Sequence, residues 1–231
     1  MGLHQNENII ENTLSVGKAQ YKTLKEIVYK SLRDDILSGK LLPETSLNTS
    51  ELSRKTKISR TPIREAIDKL VSVGLVQKVN HHEAKVASFL SDEIHEIYYM
   101  RAALEGIAAR MAAQRMSVED KKRLMSLAEE SYACADEETD DKFFEINFKF
   151  HYLIYQNIKT PLIREIIDQF YTITQRYRKI SYDLDNRKKQ VSEEHMMIAK
   201  YIFEGNEIEA EKLGILHHAN TISIIDCYFE K

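Results

Sequence analysis

The sequence predicts a mainly α-helical chain in two parts. The front is a winged helix-turn-helix of three helices and a β-hairpin, and behind it lies an antiparallel helical bundle. Three observations carry this. Residues 47–87 run helix, turn, helix, strand, turn, strand. From Ser91 onward strand alternation is absent, Pro161 is the single proline, and glycine is confined to Gly106, Gly205 and Gly214. The charge divides as well: residues 18–90 carry 14 Lys/Arg against 8 Asp/Glu, whereas residues 91–231 carry 19 against 26. A basic front on an acidic remainder fits a nucleic-acid-binding module joined to one that does not bind nucleic acid.

The elements follow in order. Residues 1–17 are polar, lack the charged and apolar blocks of a signal peptide, and read as a disordered tail. Leu24, Ile27, Val28, Leu32, Ile36 and Leu37 form the apolar side of a helix that Gly39 can close. Leu47 to Thr56 opens a second helix, with Asn48 as N-cap and Glu51 three residues later as in a capping box. Lys57-Ile58 makes the turn. The next helix starts at Ser59-Arg60-Thr61-Pro62, where Ser59 or Thr61 can cap and Pro62 fits the first turn. Ile63, Ala66, Ile67, Leu70 and Val73 define its buried side, while Arg60, Arg64 and Asp68 fall four apart on another. Two guanidiniums on the first turns, with the Thr61 hydroxyl between them, suit phosphate and guanine edges in a major groove. A solvated helix with stray arginines is the alternative, weakened by the flanking pattern. Gly74 ends this helix. Residues 75–79 then read as a strand, 80–83 as a turn and 84–87 as the return strand. His81 and His82 in that turn can reach phosphate, or can simply be solvated.

Helix starts in the second half place helices near 92–114, 118–137, 140–157, 161–182, 188–204 and 207–228, enough for a bundle. Phe143, Phe144, Phe148, Phe150, Tyr152 and Tyr155 crowd the third of these, as bundle core or as the lining of a ligand cavity. Asn147 and His151 share one helix face. His195 and His217 lie on two further helices that a bundle can bring together. Imidazoles from separate helices with an oxygen donor can hold a divalent transition metal; hydrogen-bonded core histidines are the alternative. His218, adjacent to His217, is expected to be solvated. Cys134 and Cys227 fall in apolar helical contexts, which suggests buried thiols in a reducing, cytoplasmic setting.

The run from Tyr29 to Val86 resembles the DNA-binding domain of the GntR family of bacterial transcription regulators. The matching pieces are Ile36-Leu37-Ser38-Gly39, Leu47 with Glu51-Leu52-Ser53, Ile58 to Ala66, Leu70 and Gly74-Leu75-Val76. The resemblance implies operator contacts from Arg60, Thr61 and Arg64, with Thr49, Ser50 and His81 as further DNA-facing candidates. Two departures stand out: Ser50 where the family often has Arg, and a wing tip without Gly. Residues 91–228 resemble the FCD ligand-binding domain of the FadR-like subfamily through Tyr98-x-x-Arg101-x-x-Leu104-Glu105, Asn147-Phe148-x-x-His151, Glu194-His195-x-x-Ile198, Gly205-Asn206 with Ala210, and His217. That resemblance implies a metal held by Asn147, His151, His195 and His217. Zinc is the expected ion, with nickel or manganese as alternatives. Asn147 stands where the family often has Asp, so one donor is neutral. The resemblance also points Arg101, with Tyr98 beside it, at a small carboxylate effector; an ion pair between Arg101 and Glu105 is the other reading.

The domains expected are thus a tail (1–17), a winged helix-turn-helix (18–88) and an effector-binding and dimerisation bundle (89–231). The expected function is a homodimeric, ligand-responsive repressor on a pseudo-palindromic double-stranded operator, with no membrane span. Two alternatives are a regulator without metal that takes a larger apolar effector such as an acyl thioester, and a metal-dependent hydrolase. The hydrolase lacks an evident general base and leaves the basic front unexplained.

Overall fold

The computed structural model describes residues 23–80, 83–89, 91–136, 140–182 and 186–229. The tail 1–17 and His81 lie outside these residues, as does the side chain of Cys227. The chain divides into two compact units, residues 1–89 and 90–231.

The first unit begins with α1 (Leu24–Leu37). Its capping box is reciprocal: the Thr23 hydroxyl accepts from Glu26 N, and Thr23 N donates to the Glu26 carboxylate. Gly39, at φ +77°, follows the helix end as expected. β1 (Ser46–Asn48) leads into α2 (Thr49–Thr56). Asn48 is the N-cap, its Oδ1 accepting from Ser50 N and Glu51 N. Glu51 does not return the bond; it pairs with Lys55 at 2.8 Å. Lys57 turns the chain at φ 59° into α3 (Arg60–Ser72). Ser59 is the N-cap residue, but its hydroxyl makes no cap bond. β2 (Val76–Lys78) and β3 (Glu83–Val86) form the wing.

The sheet corrects the expectation of a two-stranded hairpin. β3 is its central strand, antiparallel to both neighbours, with Leu47 opposite Ala84 and Gln77 opposite Lys85. Glu83 belongs to β3 and not to the turn. Leu32, Leu47, Ile63, Leu70 and Val86 bring both helices and sheet into one core.

The second unit contains α4 (Ser91–Arg115), α5 (Val118–Ala133), α6 (Asp140–Tyr155), α7 (Pro161–Tyr182), α8 (Arg187–Glu204) and α9 (Glu207–Phe229). The most extensive packing is α4 on α9, followed by α5 on α8. Gly106 and Gly214 let α4 and α9 approach: a Cβ built on Gly214 would lie 3.1 Å from Gly106 Cα. Phe143, Phe150 and Tyr155 of α6 are buried in the core, but Phe148 and Tyr152 are exposed and stack on each other at 5.6 Å. Those two rings are therefore neither core nor cavity lining, contrary to the sequence reading.

Candidate functional site

In the first unit, α3 buries Ile63, Ala66, Ile67 and Leu70, which turns Arg60, Thr61 and Arg64 outward. Neighbouring acids are matched by lysines: Glu65 faces Lys25 at 3.8 Å and Asp68 faces Lys78 at 2.7 Å. Among the described residues no carboxylate pairs with Arg60 or Arg64. A groove of about 700 Å³ is lined by Asn48, Ser50, Glu51, Ser53, Arg54 and Arg60. Ser50 thus joins Arg60 at one surface, with Thr49 half-buried beside it. Arg54, which the sequence reading passed over, joins them. Without a side-chain cap, the first N–H groups of α3 are disposed to meet a phosphate.

In the second unit, one ring nitrogen each of His151, His195 and His217 fall within 4.8 Å of one another, all three residues being buried. Carboxylates set the tautomers of two of them. His151 Nδ1 lies 2.9 Å from Glu105 Oε2, and His217 Nδ1 lies 2.6 Å from Glu194 Oε2. Burial alone would raise both carboxyls. For Glu194 the His217 hydrogen bond, with His217 and Arg187 nearby, outweighs it and brings the carboxyl down to about 2. For Glu105, Arg101, His218 and His151 hold the carboxyl well below the usual range. Both acids are therefore ionised and only accept, so each Nδ1 carries the proton and donates it. The Nε2 lone pairs of His151 and His217 are left for another partner, the arrangement in which a carboxylate orients a metal-binding imidazole. His151 Nε2 and both ring nitrogens of His195 are buried with no hydrogen-bond partner among the described residues. Burial keeps His151 neutral, with its pKa lowered to about 4, and also depresses that of His195. Three converging imidazoles, those of His151 and His195 held neutral by burial, fit a divalent transition metal. Asn147 is fully buried; its amide donates to Tyr171 Oη at 3.2 Å, and its Oδ1 accepts from Tyr182 Oη at 3.3 Å, leaving one oxygen lone pair.

His218 corrects an expectation. It is buried at 2 % exposure and donates Nε2–H to Glu105 Oε2 at 2.9 Å. One hundred degrees around α9 from His217 is not solvent, because α9 packs against α4, α7 and α8.

Arg101 is fully buried, its Nε bonded to Glu105 Oε1 and its Nη1 donating to Thr174 Oγ1 at 2.6 Å. Both readings of this residue have a counterpart: the ion pair with Glu105 is present, and Nη2 remains a buried donor without a partner. Tyr98, one turn earlier, is also fully buried, its hydroxyl facing Thr174 without a hydrogen bond of standard geometry. Burial pushes that phenol upward, so it stays protonated. A separate cavity of about 540 Å³ between α8 and α9 reaches the outer side of the Glu194–His217 pair and is lined by Arg187, Met197, Leu213 and Asn220 among others.

Comparison with known proteins decides the family. The profile described as the FCD domain matches residues 96–220, more than half of the chain, and that for bacterial regulatory proteins of the gntR family matches residues 24–86. The chain belongs to the GntR family and carries an FCD domain. Relatives of this GntR-family regulator agree. It is 26% identical over 193 residues to the HTH-type transcriptional regulator YdhC of Bacillus subtilis, covering 83% of this chain and 86% of that one. It is 27% identical over 197 residues to the HTH-type transcriptional repressor RspR of Escherichia coli, covering 85% and 86%. The solved structure of E. coli McbR/YncC has the same fold, with a TM-score of 0.75 at 21% identity over 90% of this chain and 100% of that one. The regulator is a DNA-binding transcription factor with a C-terminal effector-binding domain, and not an enzyme. No helix among its described residues is long and apolar enough to cross a membrane.

The sequence pairs Glu105 with Arg101 and places Glu194 beside His195, but does not show their bonds to His151, His218 and His217; it leaves out Thr174 and Arg178 of the regulator's second unit altogether. A signal existed for the last two. Tyr171, Thr174 and Arg178 are spaced three and four apart and so form one stripe of α7.

Proposed function

We propose that this regulator holds a divalent metal, zinc first among the candidates, on His151, His195 and His217, with the Asn147 oxygen as a neutral fourth donor. It senses a small carboxylate beside Arg101 and Tyr98. The observation that carries this reading is the convergence of the three buried imidazoles with Nδ1 of two of them pinned by Glu105 and Glu194. Bound there, the ion would supply a Lewis-acidic anchor for a carboxylate oxygen. The chain does the rest. Arg101 offers Nη2 to the second oxygen, Glu105 holds both Arg101 and His151 in place, and Tyr98 contributes a protonated hydroxyl. The buried charges of Arg101 and Glu105 argue against a long apolar effector in this space.

On DNA, two copies as a homodimer would set Arg60, Thr61 and Arg64 of each α3 into successive major grooves of a pseudo-palindromic operator, about 34 Å apart. Thr49, Ser50 and Arg54 would flank them on phosphate. Repression is the mode favoured by the relative named as a repressor, and the effector would relieve it. The effector shifts operator affinity only by its preference for one arrangement of the protein.

Metal analysis of the purified protein tests the centre. About one ion per chain is expected, and the paired change His151→Ala with His195→Ala should remove it. Equal metal content in variant and parent would dispose of the site.

A further inference from the structure

Arg178 of α7 is 4 % exposed, yet among the described residues it has no carboxylate partner. Its Nη1 donates to Thr174 Oγ1 at 3.3 Å, its Nη2 to the Tyr171 carbonyl at 3.3 Å, and its Nε is a buried donor with no partner. Thr174 Oγ1 also accepts from Arg101 Nη1 at 2.6 Å, so the two guanidiniums cannot be further apart than those two bonds allow. Both lie over the Tyr171 ring, Arg101 at 5.0 Å and Arg178 at 3.8 Å from its centroid. Two buried cations therefore sit together with one buried anion. That anion, Glu105, already serves Arg101, His151 and His218. The Thr174 hydroxyl gives its own proton to a backbone carbonyl and has both lone pairs taken by arginine. Asn147 brings no charge. A buried cation without its counter-ion is costly, and the chain's own described residues do not offset this one.

We propose that Arg178 binds a second anionic group of the effector, which makes the effector a short dicarboxylate: one carboxylate meets Arg101 and the other meets Arg178. This rests on the carboxylate reading of the Arg101 site and adds to it a residue that discriminates between acids. A monocarboxylate leaves Arg178 unpaired, whereas a dicarboxylate satisfies the open Nε and the excess charge together. Thr174 and Tyr171 act as the spacer that fixes the two guanidiniums relative to each other.

Calorimetric titration of the full-length, metal-loaded protein tests this with matched acids: malonate, succinate and glutarate against propionate, butyrate and pentanoate. At least one dicarboxylate is expected to bind about tenfold or more tightly than its matched monocarboxylate, the size of one hydrogen bond to a charged group. Arg178→Met should erase that preference while leaving monocarboxylate affinity in place. Its melting temperature without ligand should be equal to or above the parent's, because an unpaired buried charge has been removed. Arg178→Lys, which keeps the charge, should retain part of the preference. A preference that survives Arg178→Met, equal weakening of both acids, or a lowered melting temperature in the ligand-free variant would make Arg178 structural and overturn the assignment. Arg101→Gln separates the two layers. It should weaken mono- and dicarboxylates alike; if it weakens neither, or if no acid binds the parent, the carboxylate reading itself fails and this one with it.

Discussion

At the scale of single residues, what distinguishes Arg64 from most surface arginines is the absence of competition. The nearby acids of α3, Glu65 and Asp68, are each engaged by a lysine from another element. Arg64 makes no ion pair among the described residues, so no intramolecular bond has to break before it meets DNA. Arg64→Ala should therefore lower affinity for an operator obtained by in vitro selection by about 1–3 kcal/mol, the value of one bidentate base contact. The melting temperature should stay at the parent's, since the residue is exposed and off the core. Fluorescence anisotropy with labelled operator measures the first and calorimetry the second; unchanged operator affinity would detach α3 from DNA reading. Arg60 and Arg64 were legible in the sequence because their spacing against Ile63, Ala66 and Ile67 places them on the outer face. Glu105 was legible as the partner of Arg101 four residues away, but its bonds to His151 and His218 were not. Glu105 gathers those two imidazoles from other helices, and Arg178 meets Arg101 only through Thr174; one-dimensional spacing carries no information about which stripe of α4 meets which stripe of α7.

At the scale of elements, the crossing of α4 and α9 is set by two glycines. A Cβ on Gly214 would meet Gly106 Cα at 3.1 Å, and Glu105 O and Ala109 Cβ at 3.4 Å. Two of these three are backbone atoms, which cannot give way as a side-chain tip can. Alanine in a helix gains roughly 1 kcal/mol over glycine, while overpacking costs about 1–3 kcal/mol, so Gly214→Ala should come out destabilising by up to about 2 kcal/mol. The change should also loosen metal retention, because it pushes apart the helices that carry Glu105 and His217. Thermal melting and metal content together measure this; a more stable variant with full metal content would show that the crossing is not close-packed. Helix boundaries were readable from the sequence to within a few residues because caps and breakers act locally: Ser117 accepts from Asp120 N, and Gly205 ends α8 at φ 72°. β1 escaped notice for the same reason. It is three residues long, and it ends in Asn48, whose local signal is that of a helix cap. Only pairing with β3, some forty residues away in sequence, makes Ser46–Asn48 a strand.

At the scale of the whole molecule, the buried histidines gather in the bundle. The buried histidines His151, His195, His217 and His218 all lie in the second unit, while His4, His81 and His82 of the first fall outside the described residues. Burial of these imidazoles makes the bundle sensitive to acid. Burial lowers the pKa of His151 to about 4 and depresses those of His195 and His218 well below the ordinary value. In the unfolded chain these groups protonate near pH 6.5. Between about pH 6.5 and pH 4 the unfolded chain thus binds protons that the fold refuses, and stability falls as pH falls. His151 alone would account for about 3 kcal/mol at the acid end of that window. The carboxylates of Glu105 and Glu194 act later and in the same direction. With Glu194 held at about 2 and Glu105 also depressed, their stabilisation persists above pH 4.5 and is lost below it. Calorimetry on protein stripped of metal by a chelator should show the transition of the bundle moving to lower temperature from pH 7 to pH 5. His218→Asn should flatten the slope by removing one refused proton, whatever it does to stability at pH 7. A bundle transition indifferent to pH across that range would mean that the imidazoles take up protons in the folded state, and the neutral, lone-pair-bearing cluster on which the metal site depends would have to be given up.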